Sequence, residues 1–156
     1  MNMTIKQIRR WAAAVAAICL LTLFLPLYGM TAFAATARIA FSDPTASVGS
    51  EINVKMKITS SDNLSTADIM LAYDPGSLEF IEGTNAEGGN GAVRVHGDGG
   101  GANTTTLAYD LKFKASAAGT SKITVTSQEI YDASSQIVTV DKQGESQVTV
   151  SALSSA

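Results

Sequence analysis

The residue types that most often perform chemistry are scarce in this chain of 156 residues. Cys19, the one cysteine, lies in an apolar N-terminal stretch, and His96 is the one histidine. Neither a Cys–His nucleophilic pair nor a zinc site of several histidines is therefore expected. A Ser–His–Asp triad could be drawn through His96 and Asp98, but no serine follows the strand-to-helix elbow pattern of such a nucleophile. Nucleophilic catalysis is disfavoured.

The fourteen Asp and Glu residues form no recognisable catalytic or metal site either. A glycosidase general acid needs an apolar setting, which none of these carboxylates has in the sequence. A calcium loop would show Asp or Asn at alternate positions before a closing Glu, and that spacing is absent. The run Asp98-Gly99-Gly100-Gly101 lacks the Lys-Ser/Thr of a phosphate loop. We therefore predict no catalytic residue, no metal and no cofactor, and a binding role rather than an enzyme.

The first 34 residues have the three parts of a secretory signal. They are a basic region with Lys6, Arg9 and Arg10, an uncharged apolar run over residues 11–27, and the small residues of Ala32-Phe33-Ala34. We predict cleavage after Ala34, or alternatively after Ala35, which leaves a domain over residues 35–151 and a short polar tail over 152–156. An uncleaved membrane anchor is the alternative, which Pro26 and the Ala-x-Ala site disfavour. Lipidation of Cys19 is disfavoured by the bulky Ile18 before it.

Cleavage would leave an acidic, cysteine-free domain. All fourteen carboxylates but only eight of the eleven Lys and Arg residues follow residue 34, so the formal net charge changes from −3 to −6. Such a charge disfavours nucleic acids and anionic membranes as partners. We expect a secreted, extracellular protein, and no sortase-type motif or second hydrophobic segment indicates attachment to the cell surface.

Apolar residues then recur at every second position, the period of a half-buried strand. The pattern is clearest over residues 52–58, 67–73 and 107–113, and turn signals such as Asp74-Pro75-Gly76 separate the runs. It predicts an all-β fold, an antiparallel jelly-roll sandwich of about nine short strands. Residues 83–101 hold eight of the thirteen glycines. These glycines lie around a short strand predicted at Ala92 to His96. A flexible binding rim is one interpretation, but a pair of loose surface loops with weak strand register is favoured.

Two kinds of binding surface follow from the outward positions. Polysaccharide-binding modules stack sugars on a row of exposed aromatic rings, but here the strand pattern leaves only His96 and Tyr131 outside. The rings predicted to point inward are Phe41, Tyr73, Phe80, Tyr109 and Phe113. A protein-contact surface is indicated by Thr66, Asp68, Met70 and Ala72 on one strand, because an exposed Met adapts to a partner's shape. An ordinary strand face with one apolar residue explains the same pattern equally well.

The segment Ala67-Asp68-Ile69-Met70-Leu71-Ala72-Tyr73-Asp74-Pro75-Gly76-Ser77-Leu78-Glu79-Phe80 resembles the strand-turn-strand signature of the cohesin family. In that signature an apolar strand ends in Tyr-Asp-Pro, and a Leu three residues after the Pro opens the next strand. Three weaker similarities occur elsewhere in the chain, in the order that the family has them. Together with the signature they cover nearly all of residues 37–151. They are Val48-Gly49-Ser50, residues 111–123 with the Ala118-Gly119 turn, and residues 144–150.

The resemblance implies a jelly-roll sandwich that binds dockerin modules of other proteins, such as glycoside hydrolases or other secreted enzymes, and gathers them for polysaccharide degradation. It places the partner-binding residues at Thr66, Asp68, Met70, Ala72, Asp98 and Gly101, and it assigns calcium to the dockerin. Thr66 stands where the family often has an amide, and the glycine-rich segment is short, so partner specificity does not carry over. The alternatives are a carbohydrate-binding module of the same fold, with polysaccharide as a disfavoured partner, and a fragment of a surface adhesin.

Overall fold

Ten β-strands make up the part of the chain that this computed structural model describes, residues 33–154. They are β1 (Thr36–Phe41), β2 (Thr45–Ser47), β3 (Glu51–Ala72), β4 (Leu78–Gly83), β5 (Ala86–Gly89), β6 (Ala92–Gly97), β7 (Thr104–Ala115), β8 (Gly119–Asp132), β9 (Thr139–Gln143) and β10 (Glu145–Ser151). Between residues 33 and 154 no helix has the length and apolar character needed to cross a membrane. Residues 1–32 of the predicted signal peptide and residues 155–156 of the tail lie outside the described residues.

The strands form the two layers of a jelly-roll sandwich, which confirms the predicted fold class. The front layer has the order β5–β6–β3–β8–β10–β2, and the back layer has the order β4–β7–β3–β1–β9. Hydrogen bonding is continuous between the layers because β3 belongs to both, and the pairing of Gly83 with Ala86 also joins β4 to β5. Most neighbours are antiparallel, but β1 pairs with β9 and β10 pairs with β2 in parallel.

Strand β3 is the element that differs most from the sequence-based strand assignment. The pattern predicted separate strands over 52–58 and 67–73, whereas the structure has one strand of 22 residues. Residues 51–59 pair with β7 in the back layer, and residues 67–72 pair with β6 and β8 in the front layer. The exposed residues 61–63 lie where the strand passes between layers, and shifts in register mark the crossing. The polar residues 61–63 are exposed at this crossing, so they do not interrupt the strand.

The predicted turn after β3 is confirmed in atomic detail. One carboxylate oxygen of Asp74 accepts a hydrogen bond from the Gly76 N–H at 2.9 Å, and the other accepts one from the Ser77 hydroxyl at 2.9 Å. The Gly76 hydrogen bond is the main reason that the pKa of Asp74 is lowered. The Asp74 carbonyl also accepts from the Leu78 N–H at 3.0 Å, which returns the chain to the core.

The core lies between the two layers and is built from the inward positions that the alternation predicted. Tyr73 and Phe80 each pack edge-on against Phe113, with ring centroids 5.2 and 5.4 Å apart. Tyr109 is buried, and its hydroxyl donates a hydrogen bond of 2.6 Å to the carbonyl of Gly97. Burial raises the pKa of Tyr109, so this hydroxyl remains a donor. Phe41 and Phe80 are only partly buried at the edges of the core.

The glycine-rich segment is more ordered than two loose loops around one short strand: the strand predicted at Ala92–His96 is confirmed as β6, and the loop interpretation is wrong for β5. Here β5 and β6 form a hairpin, and six consecutive residues of β6 pair with β3. The hairpin turns at Asn90 and Gly91, whose φ angles of 54° and 95° are those of a two-residue type I′ turn. A Cβ on Gly88 would lie 2.2 Å from the Ala92 carbonyl oxygen, so glycine lets the strands approach. The glycines thus shape the edge of the front layer.

Candidate functional site

The outer surface of the front layer brings together side chains from four adjacent strands. We call it the front face. It comprises Glu87 of β5, then Ala92, Arg94 and His96 of β6, then Thr66, Asp68, Met70 and Ala72 of β3, and Ser127, Glu129 and Tyr131 of β8. Strand β3 lies at its centre, so the four residues predicted from that strand form its middle row. They are half-buried rather than freely exposed, because neighbouring strands flank them on both sides.

Asp68 does not present a free carboxylate on this face. The Arg94 guanidinium donates two hydrogen bonds to it, from Nε to Oδ1 at 3.0 Å and from Nη2 to Oδ2 at 2.5 Å. This bidentate pairing fixes the orientation of both side chains more firmly than a single hydrogen bond would. The hydrogen bonds from Arg94 hold the pKa of Asp68 below its usual value, and the carboxylate in turn raises the pKa of Arg94.

Other charged groups surround this pair. His96 Nδ1 lies 3.4 Å from Asp68 Oδ2, and Glu87 stands directly across from Arg94 on β5. On the other side of β3, Glu129 faces Asp68 and accepts a hydrogen bond of 3.0 Å from the Tyr131 hydroxyl. That hydrogen bond is the main reason that the pKa of Tyr131 is raised. The front face thus carries three carboxylates against one guanidinium.

The predicted residues Asp98 and Gly101 lie in the turn after β6 and not on the sheet itself. Asp98 Oδ1 accepts a hydrogen bond from the Gly100 N–H at 2.9 Å, and the Asp98 carbonyl accepts one from the Gly101 N–H at 3.0 Å. Gly97 pairs with Ala67, so the turn comes next to the Thr66 end of the front face. The side chain of Asp98 closes the turn, and the structure does not bring it into the Asp68 cluster.

Apolar side chains complete the surface. Met70 lies between Arg94 and Ser127 in the centre, and the small side chains of Ala72 and Ala92 are paired beside it. At the opposite end, Ile137 forms an isolated bridge with Tyr131 and has 69% of its surface exposed. Bridged residues point to the same side of a sheet, so Ile137 extends the front face beyond β8.

The sequence matches no protein-family model and no curated protein. Solved structures with the same arrangement of strands do match. A non-cellulosomal cohesin from Archaeoglobus fulgidus has 21% sequence identity and a TM-score of 0.62, covering 74% of this chain and 91% of that one. The sixth cohesin of scaffoldin B from Acetivibrio cellulolyticus, in complex with a Cel5 dockerin variant, has 19% identity and a TM-score of 0.63, covering 74% and 99%. A Clostridium thermocellum cohesin, OlpA, in complex with the dockerin Doc918, has 17% identity and a TM-score of 0.63, with the same coverage.

This domain has the cohesin fold. The match covers almost the whole of each cohesin chain, which confirms the predicted resemblance at the level of the fold. The low identity means that side chains on the surface of this cohesin fold have to be judged from their own contacts.

Three residues of the front face, Arg94, His96 and Ile137, were not predicted to belong to a protein-contact surface with Asp68. Arg94 and His96 alternate with the buried Val93 and Val95, so their outward direction follows from the pattern. Their place beside Asp68 depends on the pairing of β6 with β3, which no local pattern specifies. Ile137 gave no signal, because it lies between β8 and β9 outside any alternating run.

The aromatic rings are distributed as the strand pattern predicted. From Ala34 to Ser154 all the Phe and Tyr side chains are buried or half-buried, and Tyr131 is half-buried on the front face. His96 is the other ring there, and it is exposed. The cohesin fold of this chain therefore presents no row of aromatic rings within the described residues.

Proposed function

We propose that this domain is a non-catalytic, exported binding module that binds dockerin-bearing proteins through the front face. The observation that carries the proposal is the cohesin fold together with a half-buried central row, in which Met70 lies beside the Asp68–Arg94 pair. Two of the three cohesins described above are in complex with dockerins. A surface with Met and Arg at its centre and acidic groups around them suits a protein partner.

The chemistry of the surface supports binding rather than catalysis. Asp68 is held ionised by Arg94, whereas a general acid needs a raised pKa. Residues 33–154 contain no group of three or more His, Cys, Asp or Glu side chains placed to hold a metal ion. The absence of an aromatic row in this range gives a polysaccharide no stacking platform. A folded protein domain is the partner that this surface fits best.

Export and the identity of the partners belong to the same proposal. The basic, apolar and small-residue regions of the first 34 residues support secretion. A secreted cohesin fold would meet dockerins carried by other secreted proteins, among them glycoside hydrolases. The domain would then hold such enzymes together outside the cell and assist polysaccharide degradation.

The direct test is capture of partners by the purified domain. The domain over residues 35–156 is immobilised and exposed, with calcium present, to the secreted proteins of the producing organism. Captured proteins are identified by mass spectrometry, and their dockerin modules are purified and titrated calorimetrically. We expect saturable one-to-one binding that is lost when a chelator removes calcium from the dockerin.

Two results would contradict the proposal. One is that no captured protein carries a dockerin and that no purified dockerin binds. The other is retention of the domain on insoluble cellulose or xylan without any protein partner, which would favour a carbohydrate-binding module of the same fold. An adhesin fragment would instead show neither dockerin binding nor retention on these polysaccharides.

A further inference from the structure

Arg94 is the residue on which this inference depends, and the inference rests on the proposed function. Its guanidinium has five N–H groups, and Asp68 accepts hydrogen bonds from Nε and Nη2. The side chain is 46% exposed, against 27% for that of Asp68. The guanidinium is therefore the more accessible group of the pair.

The neighbours of Arg94 leave its remaining donors available. Met70 faces it on β3 and has no charge, and Ala92 precedes it by two positions on the same side of β6. Glu87 stands across from it on β5 and adds a favourable charge, and its contribution to the raised pKa of Arg94 is the smallest of the causes. A guanidinium that one carboxylate holds through Nε and Nη2 keeps its other N–H groups for another acceptor.

We propose that Arg94 is the specificity-determining contact of the front face, and that it donates hydrogen bonds to an acceptor on the dockerin. The acceptor is the set of free carbonyl groups at the end of a helix, which carry partial negative charge but no full charge. Asp68 is a positioning residue, because its two hydrogen bonds hold the guanidinium plane over the centre of the sheet. This reverses the expectation from sequence, in which Asp68 itself contacts the partner.

The reversal follows from charge. A basic side chain of a partner aimed at Asp68 would meet Arg94 at hydrogen-bonding distance from the same carboxylate, and like charges repel. A neutral carbonyl acceptor aimed at Arg94 meets no such repulsion, whereas a partner carboxylate would also face Asp68, Glu87 and Glu129. Arg is also among the residues that contribute most to binding when they lie near the centre of an interface.

The test is a set of variants titrated with the calcium-loaded dockerin that the wild-type domain binds most tightly in the capture experiment. Arg94→Ala and Arg94→Lys are expected to weaken binding by about tenfold or more, because a charged hydrogen bond is lost and an ammonium cannot replace a fork of donors. Asp68→Asn should weaken it less, by about threefold, since it loosens the guanidinium without removing it. Asp68→Asn in the Arg94→Ala background should add nothing further.

A back-layer ion pair supplies the matched control. Lys112 Nζ lies 2.8 Å from Glu82 Oε1, and Lys112→Ala should leave dockerin binding unchanged. The positioning role has its own readout in the free domain, which is the exchange rate of the Arg94 Nε–H measured by NMR. That proton should be protected in the wild type and should exchange faster in Asp68→Asn.

The opposite pattern overturns the inference. If Asp68 is the contact, Arg94→Ala exposes the carboxylate and binds as tightly as the wild type or more tightly, while Asp68→Asn loses most of the affinity. An unprotected Arg94 Nε–H in the wild type also overturns the positioning role. A wild-type domain that binds no dockerin overturns the proposed function and the dockerin contact, and the exchange rate still decides whether Asp68 orients Arg94.

Discussion

Strand β3 runs through both layers of the sandwich, and the outward side chains of its two halves differ in polarity and exposure. In the back layer β3 exposes Glu51, Asn53, Lys55, Lys57 and Thr59, whereas in the front layer it presents Thr66, Asp68, Met70 and Ala72. The back half is a row of exposed polar and charged groups. The front half is half-buried and has its largest apolar side chain in the middle.

The charges of the back layer are arranged across neighbouring strands. Glu51 faces Lys114, Lys55 faces Asp110, and Lys112 Nζ lies 2.8 Å from Glu82 Oε1. Removing such lysines from water is costly, and Lys is depleted in protein interfaces. The front face has its one guanidinium already paired with a carboxylate beside Met70. The comparison indicates that covering the front face with a partner costs less than covering the back face.

The largest expected effect comes from disrupting the hairpin that completes the front layer. Gly88→Val should lower the free energy of unfolding by about 3 kcal/mol, because a Cβ there would overlap the Ala92 carbonyl. Dockerin binding should be lost as well, since β6 carries Arg94. Chemical denaturation of both forms measures the change.

A second glycine variant is the control for Gly88→Val. A Cβ on Gly101 would meet only Thr104 Cγ2, at 4.0 Å. Gly101→Ala should therefore change the free energy of unfolding by less than about 0.5 kcal/mol. Equal losses for the two variants would contradict the structural role assigned to the close approach at Gly88.

Binding is the next test of the difference between the two faces. Met70→Glu should weaken dockerin binding by about 2 kcal/mol, roughly thirtyfold, because it places a charge at the centre of the front face. Ile81→Glu is the matched control, since Ile81 is exposed on β4 in the back layer. Calorimetric titration should show normal affinity for this second variant. A back-layer effect as large as that of Met70→Glu would mean that the wrong face has been chosen.

The edge of the front face should contribute less. Ile137→Ser should weaken binding by about 1 kcal/mol, because part of an exposed apolar side chain no longer becomes buried on binding. Leu153→Ser changes an equally exposed side chain in the segment after β10 and should have no effect on the same titration. Identical affinities for both variants would place Ile137 outside the contact surface.

The smallest effect concerns pH. Arg94 lowers the native pKa of Asp68, so this carboxylate adds stability above its ordinary pKa of 3.8, and that stability is lost as the pH falls through the lowered value. The stability difference between the wild type and Asp68→Asn should therefore shrink on acidification. Denaturation at several values between about pH 5 and pH 2 measures it. A difference that grows towards low pH would contradict the pairing.

The back layer provides the comparison for this titration. Lys112 lowers the pKa of Glu82 through a hydrogen bond, so Glu82→Gln should show the same sign. Glu82 is more exposed than Asp68, and salt should suppress its contribution more strongly. Equal salt sensitivity for both variants would remove the distinction between the two ion pairs.

Local patterns in the sequence predicted the fold class and the inward or outward direction of most side chains. Alternation in β3 placed Met70 outside and Leu71 inside, because successive side chains of a strand point to opposite faces. The Asp74 turn was predictable because its hydrogen bonds lie within four residues. The Asn90-Gly91 dipeptide is also a hairpin signal, and it indicates that a further strand, β5, pairs with the strand predicted at Ala92–His96.

The composition of the site was less predictable because it depends on contacts that are distant in the sequence. Arg94 is 26 residues from Asp68, and Glu129 reaches the same face only through the pairing of β8 with β3. The polar residues 61–63 interrupt the alternation of apolar residues and indicated a break between two strands, whereas β3 continues through them from one layer to the other. Pairing partners and layer crossings are decided by the packing of the whole domain.

The central claim is that one face of the sandwich, and not the other, binds a dockerin. The most direct measurement is an NMR titration of the isotope-labelled domain with an unlabelled, calcium-loaded dockerin. We predict that amide shifts change most over residues 66–72, 92–96 and 127–131, and little over residues 51–59 and 108–114. Changes concentrated in the latter two ranges, with the front face unaffected, would contradict the claim.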